Sequence, residues 1–372
     1  MRQGALYTKQ IIITVITAGI GGALFMLLHI PVPWLLGPMV AMVIGTNVIN
    51  YQFAWHWKIR NLGMVIIGYT IGLSMTTTAL REMARQLPSM LFMTVLLLLL
   101  CGGIAYVISK ISDHDFSTSL LASMPGGLTQ VIILAEETKG VNLAVVTVTQ
   151  LIRLMLIIIS MPLIVMLPFF KENTEVSSMT EPLSKAASVS LFPNIFIFIL
   201  VGIVLTFITV KINFPTAYLI GPMLSVIILQ LIGVEGPELS PILINGSQLM
   251  IGTHVGLMLK TDQLPGKIRT VGLALTSGVL LLVVGVLLSF LLVLLQPVSS
   301  ATSLLSMAPG GMDQMGLIAH EIGADLSIVS GYQLFRTFFI FFAVPPLIRY
   351  IFTVLERKKQ KKRRFIPLHE RK

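Results

Sequence analysis

Two short stretches concentrate the residue types that could do chemistry. Pro125-Gly126-Gly127 is followed by Leu128, Thr129 and Gln130, and Pro309-Gly310-Gly311 by Met312, Asp313 and Gln314. Each interrupts a segment apolar enough to enter a membrane. Proline lacks an amide hydrogen and clashes with the preceding turn, and paired glycines weaken a helix further. The chain is expected to break there and to open a new helix, whose free amides and dipole favour an anionic group. Non-helical backbone at membrane depth is tolerated only where protein buries it or a wet cavity lines it. Carriers with inverted repeats put their substrates at such paired breaks. The competing reading is a tight turn between two packed helices with nothing bound.

Gln150 with Arg153, and Gln333 with Arg336, are spaced three apart on expected spanning helices, which puts each pair on one face. An arginine inside an apolar run is costly and normally meets a partner or a wet cavity. Its guanidinium could clamp a carboxylate with two prongs. It could equally snorkel from a helix end, or pair with Glu137 or Glu321 as scaffolding. Asp313 stands where the first stretch has Thr129. It reads either as a carboxylate that carries a proton or helps hold a cation, or as a cap on the new helix. His254 could titrate near neutrality, or be a hydrogen-bonded interior histidine.

The elements that position these residues are written twice. Trp34-Leu35-Leu36-Gly37-Pro38-Met39 is echoed by Tyr218-Leu219-Ile220-Gly221-Pro222-Met223, and Asn61, Gly68 and Gly72 by Asn245, Gly252 and Gly256. All recur at the offset that separates the two Pro-Gly-Gly motifs (309 − 125 = 184), as does Gln130 with Gln314. The Gln-Arg pairs follow after a one-residue slip. Pro38 and Pro222 imply kinks, and the two Gly-x-x-x-Gly faces imply close helix approach. Residues 1–170 and 186–356 therefore form two membrane repeats, joined by a polar linker at 171–185 and followed by a basic tail at 357–372. Each repeat reads as about five long helices plus one broken or re-entrant segment.

Composition sets the class. Of the residues, 55% are hydrophobic and 11% charged, against roughly a quarter charged in soluble domains. Apolar runs at Ile11–Leu28, Pro88–Ser109, Val189–Val210 and Val271–Gln296 are long enough to span. The fold class is all-α integral membrane. The first run follows Arg2 and Lys9 like a signal peptide, but its length and lack of a small-x-small cleavage site mark a retained span. Cys101 is the single cysteine, so no intrachain disulfide forms. The basic cluster from Arg357 to Arg364 reads as a cytoplasmic anchor beside anionic lipid; as a nucleic-acid patch it lacks aromatic interleaving and a folded module. Placing the basic loops on one side favours antiparallel repeats with both termini cytoplasmic, although Arg81 and Arg85 then fall on the wrong side. A parallel arrangement misplaces more. No phosphate loop, HExxH, paired CxxC or GxSxG is present, so neither ATP-driven nor enzymatic chemistry is expected, and no cofactor or metal.

The doubled WLLGPM/YLIGPM and MPGGLTQ/APGGMDQ pattern resembles the bacterial AbrB membrane family, defined by a duplicated domain, over nearly the whole chain. The resemblance implies a multi-pass inner-membrane protein, under labels such as regulator of gene expression or ammonia monooxygenase. A monooxygenase needs metal ligands that the dispersed histidines do not offer. Direct DNA binding needs a soluble module for which neither linker nor tail has room. The expected function is secondary transport or export of a small anionic organic solute across the lipid bilayer. Pro125, Gly126, Gly127, Pro309, Gly310 and Gly311 would form its site, with Arg153 and Arg336 as countercharge. Gln130, Gln150, Gln314 and Gln333 would orient the solute, and Asp313 would couple an ion. The rival is a membrane-bound regulator acting through another protein.

Overall fold

A computed structural model describes residues 2–49, 51–112, 115–125, 128–138, 140–170, 191–214, 216–258 and 267–364. The described chain is all-helical. The first group of elements is α1 (Arg2–Leu27), α2 (Pro33–Asn47), α3 (Trp57–Ser74), α4 (Thr77–Ile111), α5 (Phe116–Ser123), α6 (Leu128–Glu137) and α7 (Leu143–Val165). The second is α8 (Leu191–Lys211), α9 (Ala217–Leu231), α10 (Pro241–Met258), α11 (Lys267–Leu295), α12 (Ser300–Met307), α13 (Met312–Ile322) and α14 (Leu326–Arg364). Among the described residues, five segments are long and apolar enough to cross a membrane: Tyr7–Leu27, Thr77–Ile111, Leu143–Val165, Val271–Leu295 and Leu326–Val344. The sequence predicts about five such helices in each half. The difference lies in elements such as α2 and α9, which at 15 residues fall short of the roughly 20 that a span needs. The linker at 171–185 lies outside the described residues.

Local chemistry sets the helix starts. The Thr76, Asn142 and Ser299 side chains accept from the amides of Ala79, Val145 and Thr302, closing the first turns of α4, α7 and α12. Pro33 begins α2, where its missing N–H costs nothing. At the other end of α13, Gly323 takes φ 70°, the left-handed closure that glycine adopts without strain.

The centre is a crossing of α2 and α3 with α9 and α10, and glycine permits it. A Cβ on Gly68 would sit 2.2 Å from the Leu219 carbonyl oxygen, and one on Gly252 would sit 2.3 Å from that of Leu35. One turn further, Gly72 meets Val226 and Met223, while Gly256 meets Met39 and Met42. These four contacts repeat at the sequence offset of 184. The α3–α9 and α2–α10 seams are thus backbone-to-backbone, and the core around them is continuous from Leu35 and Met39 to Ile67, Leu219, Met223 and Ile251. Outside this crossing, α1 packs on α2, α8 on α9, α7 on α11, and α4 on α14.

The broken segments lie against the long helices. The Asn142 amide donates to Thr118 Oγ1 at 3.1 Å, and the Asp325 amide to Thr302 Oγ1 at 3.0 Å. Thr118 sits at the start of α5 and Asn142 just before α7; Thr302 and Asp325 hold the matching places around α12 and α14. Each broken segment therefore brings its beginning and its exit to one point. In the second half this is the geometry of a hairpin that turns back at Pro309-Gly310-Gly311; the matching turn of the first half lies partly outside the described residues.

Gly252→Leu is expected to prevent stable assembly, because the obstacle is a main-chain oxygen rather than a side-chain tip; overpacking a core typically costs about 1–3 kcal/mol or more. Gly102→Ala, with open space where its Cβ would lie, should keep the wild-type melting temperature in detergent. Equal melting temperatures for the two variants would refute the crossing.

Candidate functional site

Breaking a helix strands the carbonyls of its last turn, and burial denies them water. In the first half those carbonyls belong to α5. Gln150 Nε2 donates to the carbonyls of Leu121 at 2.8 Å, Met124 at 3.1 Å and Ala122 at 3.2 Å. Arg153 Nη1 donates to the Met124 carbonyl at 2.7 Å, and its Nη2 to Gln150 Oε1. The second half repeats the arrangement. Gln333 Nε2 donates to the carbonyls of Leu305 at 2.8 Å and Ala308 at 3.1 Å. Arg336 Nη2 reaches the Ala308 carbonyl at 2.8 Å, that of Gly310 at 3.2 Å, and Gln333 Oε1. The three-residue spacing predicts a shared face, and both pairs indeed act as one unit.

Their target differs from the expectation. The guanidiniums point at the broken ends of α5 and α12, where a cation also complements the helix dipole. Neither snorkels: Arg153 and Arg336 are only 4% and 5% exposed. Glu321 is not the partner of Arg336 either; its carboxylate accepts from Gln248 Nε2 at 3.4 Å, and the Glu137 side chain lies outside the described residues. Among the described residues, all hydrogen-bond partners of both arginines are neutral oxygens. Arg153 Nε, though buried, has none. The two guanidiniums lie within electrostatic reach of each other, and buried Cys101 of α4 lies within reach of both. Two positive charges are thus held in the interior beside backbone breaks from both halves.

At the second hinge, Pro309 packs against α11 at Gly285 and Gly310 against Ile157 of α7. Gly311 precedes α13, so Asp313 lies inside the new helix rather than capping it. Its carboxylate accepts from Gln314 Nε2 at 2.9 Å, and both residues are buried. Gln314 Oε1 has no partner. Of the first hinge, Pro125 is buried, whereas Gly126 and Gly127 and the Gln130 side chain lie outside the described residues. His254 lies in α10, half-buried and within electrostatic reach of Arg60. Among the described residues no group of three or more His, Cys, Asp or Glu side chains is placed to hold a metal.

Sequence reading misses the acceptors at Leu121, Met124, Leu305 and Ala308, since main-chain carbonyls carry no residue signature. It also passes over Thr118 and Thr302, although they share the offset of 184. A cavity of about 20 Å³ lies beside α5, lined by Ser119, Ser123, Thr149 and Ser277 among others. A larger apolar groove of about 510 Å³ runs between α3, α8 and α9, and no hinge residue lines it.

Helical throughout its described length, with five segments able to cross a bilayer and two buried arginine-braced breaks, the chain fits a multi-pass membrane protein. It belongs to the AbrB family: the model described as "Transition state regulatory protein AbrB" matches residues 34–352. It is 26% identical over 363 residues to "Uncharacterized protein YhjN" of Bacillus subtilis (strain 168), covering 92% of this chain and 93% of that one. It is 25% identical over 338 residues to "Putative regulator AbrB" of Escherichia coli (strain K12), covering 90% and 94%.

Gln333→Leu should strand the Leu305 carbonyl and loosen Arg336, costing about 1–3 kcal/mol for each buried acceptor left bare. Gln150→Leu should cost a similar amount. Thermal unfolding in detergent measures both, and a loss confined to one variant would show that the two hinges are not braced alike.

Proposed function

We propose that this chain is a secondary carrier or exporter of a small anionic organic solute in the bacterial inner membrane. The observation that carries the reading is the pair of buried guanidiniums, each bonded among the described residues to neutral oxygens alone. Burying a charge without an opposite charge is expensive, and helix-end carbonyls offset only part of that cost. A carboxylate or phosphate entering between the hinges would offset the rest, and Arg153 retains a bare N–H to offer it. The Gln-Arg units hold the hinges and supply the countercharge together, so solute binding and hinge geometry are linked. The chain itself carries out no catalytic step.

The recurring offset of 184 in the helix crossings and in the hinge carbonyls, with the Gln-Arg braces one residue short of it, supports two repeats of one unit. The Thr118–Asn142 and Thr302–Asp325 bonds support hairpins that enter and leave on one side. A returning hairpin leaves each repeat an odd number of crossings, which makes the repeats antiparallel. With the basic loops inside, both termini are cytoplasmic.

A second reading follows from the words "regulatory" in the description of the matching family and "regulator" in that of the Escherichia coli relative. In it, the chain senses a solute and acts on gene expression through another protein, without moving anything.

Uptake of labelled organic acids into proteoliposomes separates the two. The carrier reading expects gradient-dependent flux by the native chain. Arg153→Lys and Arg336→Lys, which keep the charge but lose the planar fork, should each lower it roughly tenfold, the effect of losing about 1.4 kcal/mol. Binding of an acid without flux would favour the sensor, and absence of both would overturn the carrier.

A further inference from the structure

Thr129 and Asp313 hold matching places in the two hinges, so whatever Asp313 does happens once per chain. Its surroundings are specific. Gln314 Nε2 donates to Asp313 Oδ2 at 2.9 Å. The other amide atom, Gln314 Oε1, is buried without a donor in a side chain only 4% exposed. This oxygen and Asp313 Oδ1 both crowd the bare face of Gly311: a Cβ there would lie 2.1 Å from Gln314 Oε1 and 2.6 Å from Asp313 Oδ1. Two acceptors facing one point repel each other. A hydrogen on Oδ1 turns the repulsion into a second bond.

We propose that the second hinge is a proton-binding site, in which protonated Asp313 and the Gln314 side-chain amide close a two-bond ring against Gly311. The carboxyl accepts from Nε2 through Oδ2 and donates from Oδ1 to Oε1, the pairing of a carboxylic acid with a primary amide. No other group need be supplied. When the proton leaves to water, the O–H bond gives its electron pair to the carboxylate, Oε1 loses its donor and the ring opens. Gly311, one residue from the Gly310 carbonyl that Arg336 holds, then feels the change. Protonation is thereby tied to the guanidinium that the carrier reading gives to the solute. The inference rests on that reading for its role, but not for its existence.

Asp313 lies on α13, which packs against three elements, α3, α12 and α14. On its own helix, the amides of Asp313 and Gln314 face the carboxyl, and His320 and Glu321 stand two turns on. From α3, the Arg60 guanidinium acts on it. Helix α12 carries no ionisable side chain. From α14, Tyr332 is bonded to Ser89 of α4, and Arg336 is committed to the hinge. The amides and Arg60 favour the carboxylate; burial and the orphaned Oε1 favour the acid.

Infrared spectroscopy of the full chain in proteoliposomes at neutral pH tests which form is present. A carbonyl band of a protonated carboxyl group is expected. It should vanish in Asp313→Asn, shift in Gln314→Leu, and persist in the control Asp325→Asn. Absence of the band at neutral pH, or its survival in Asp313→Asn, would overturn the site. So would a loss of the band on adding sodium, which would mean that a metal cation competes for the oxygens. The two proposals fail separately: the band without flux leaves the proton site and removes the carrier, whereas flux without the band does the reverse.

Discussion

A helix that stops inside an apolar layer must find donors for the carbonyls of its last turn, and this requirement organises the molecule. Water is not available to meet it, and an unpaired buried carbonyl costs about 1–3 kcal/mol. The chain meets it with one glutamine and one arginine on each neighbouring helix, three residues apart. The glutamine gathers carbonyls from the last turn, and the arginine takes those nearest the break. The arginine brings a charge that the task does not demand; a second glutamine would supply neutral donors. Both hinges therefore hold a full positive charge that their hydrogen-bonding task alone does not explain.

The hinges depend on the crossing at the centre. Helices α2 and α9 are too short to span alone, so their ends rely on neighbouring protein. The glycines of α3 and α10 let those short elements approach until main chain meets main chain. Core positions such as Ile71, beside which Gly316 of α13 packs, then tie the crossing to the second hinge. Close packing of this kind moves in discrete steps rather than by continuous bending.

Much of this was legible in the sequence, and for identifiable reasons. The glycine faces were visible because only glycine permits such contact, and the constant offset exposed their pairing. The hinges were visible because proline and paired glycine have few other uses in an apolar run. The Gln-Arg pairs were found as a unit, but their orientation was not, since spacing reveals a face and not what the face meets. Short helices were read as full spans because hydropathy averages across the loops that end them. The Asp313–Gln314 pair escaped because adjacent side chains on a helix ordinarily diverge; only the first turn after a break lets them fold toward each other.

The crossing also bears on how the chain is made. Helix α3 finds its packing surface on α9, and α2 finds its own on α10, yet α10 ends at Met258 while α3 ends at Ser74. At a translation rate of about 5–20 residues per second, the early pair waits on the order of ten seconds or more before its mates leave the ribosome. During that interval the glycine stripe of α3 has only lipid or the insertion machinery against it. Biogenesis therefore includes a waiting stage in which half of the eventual core is already in place and still open.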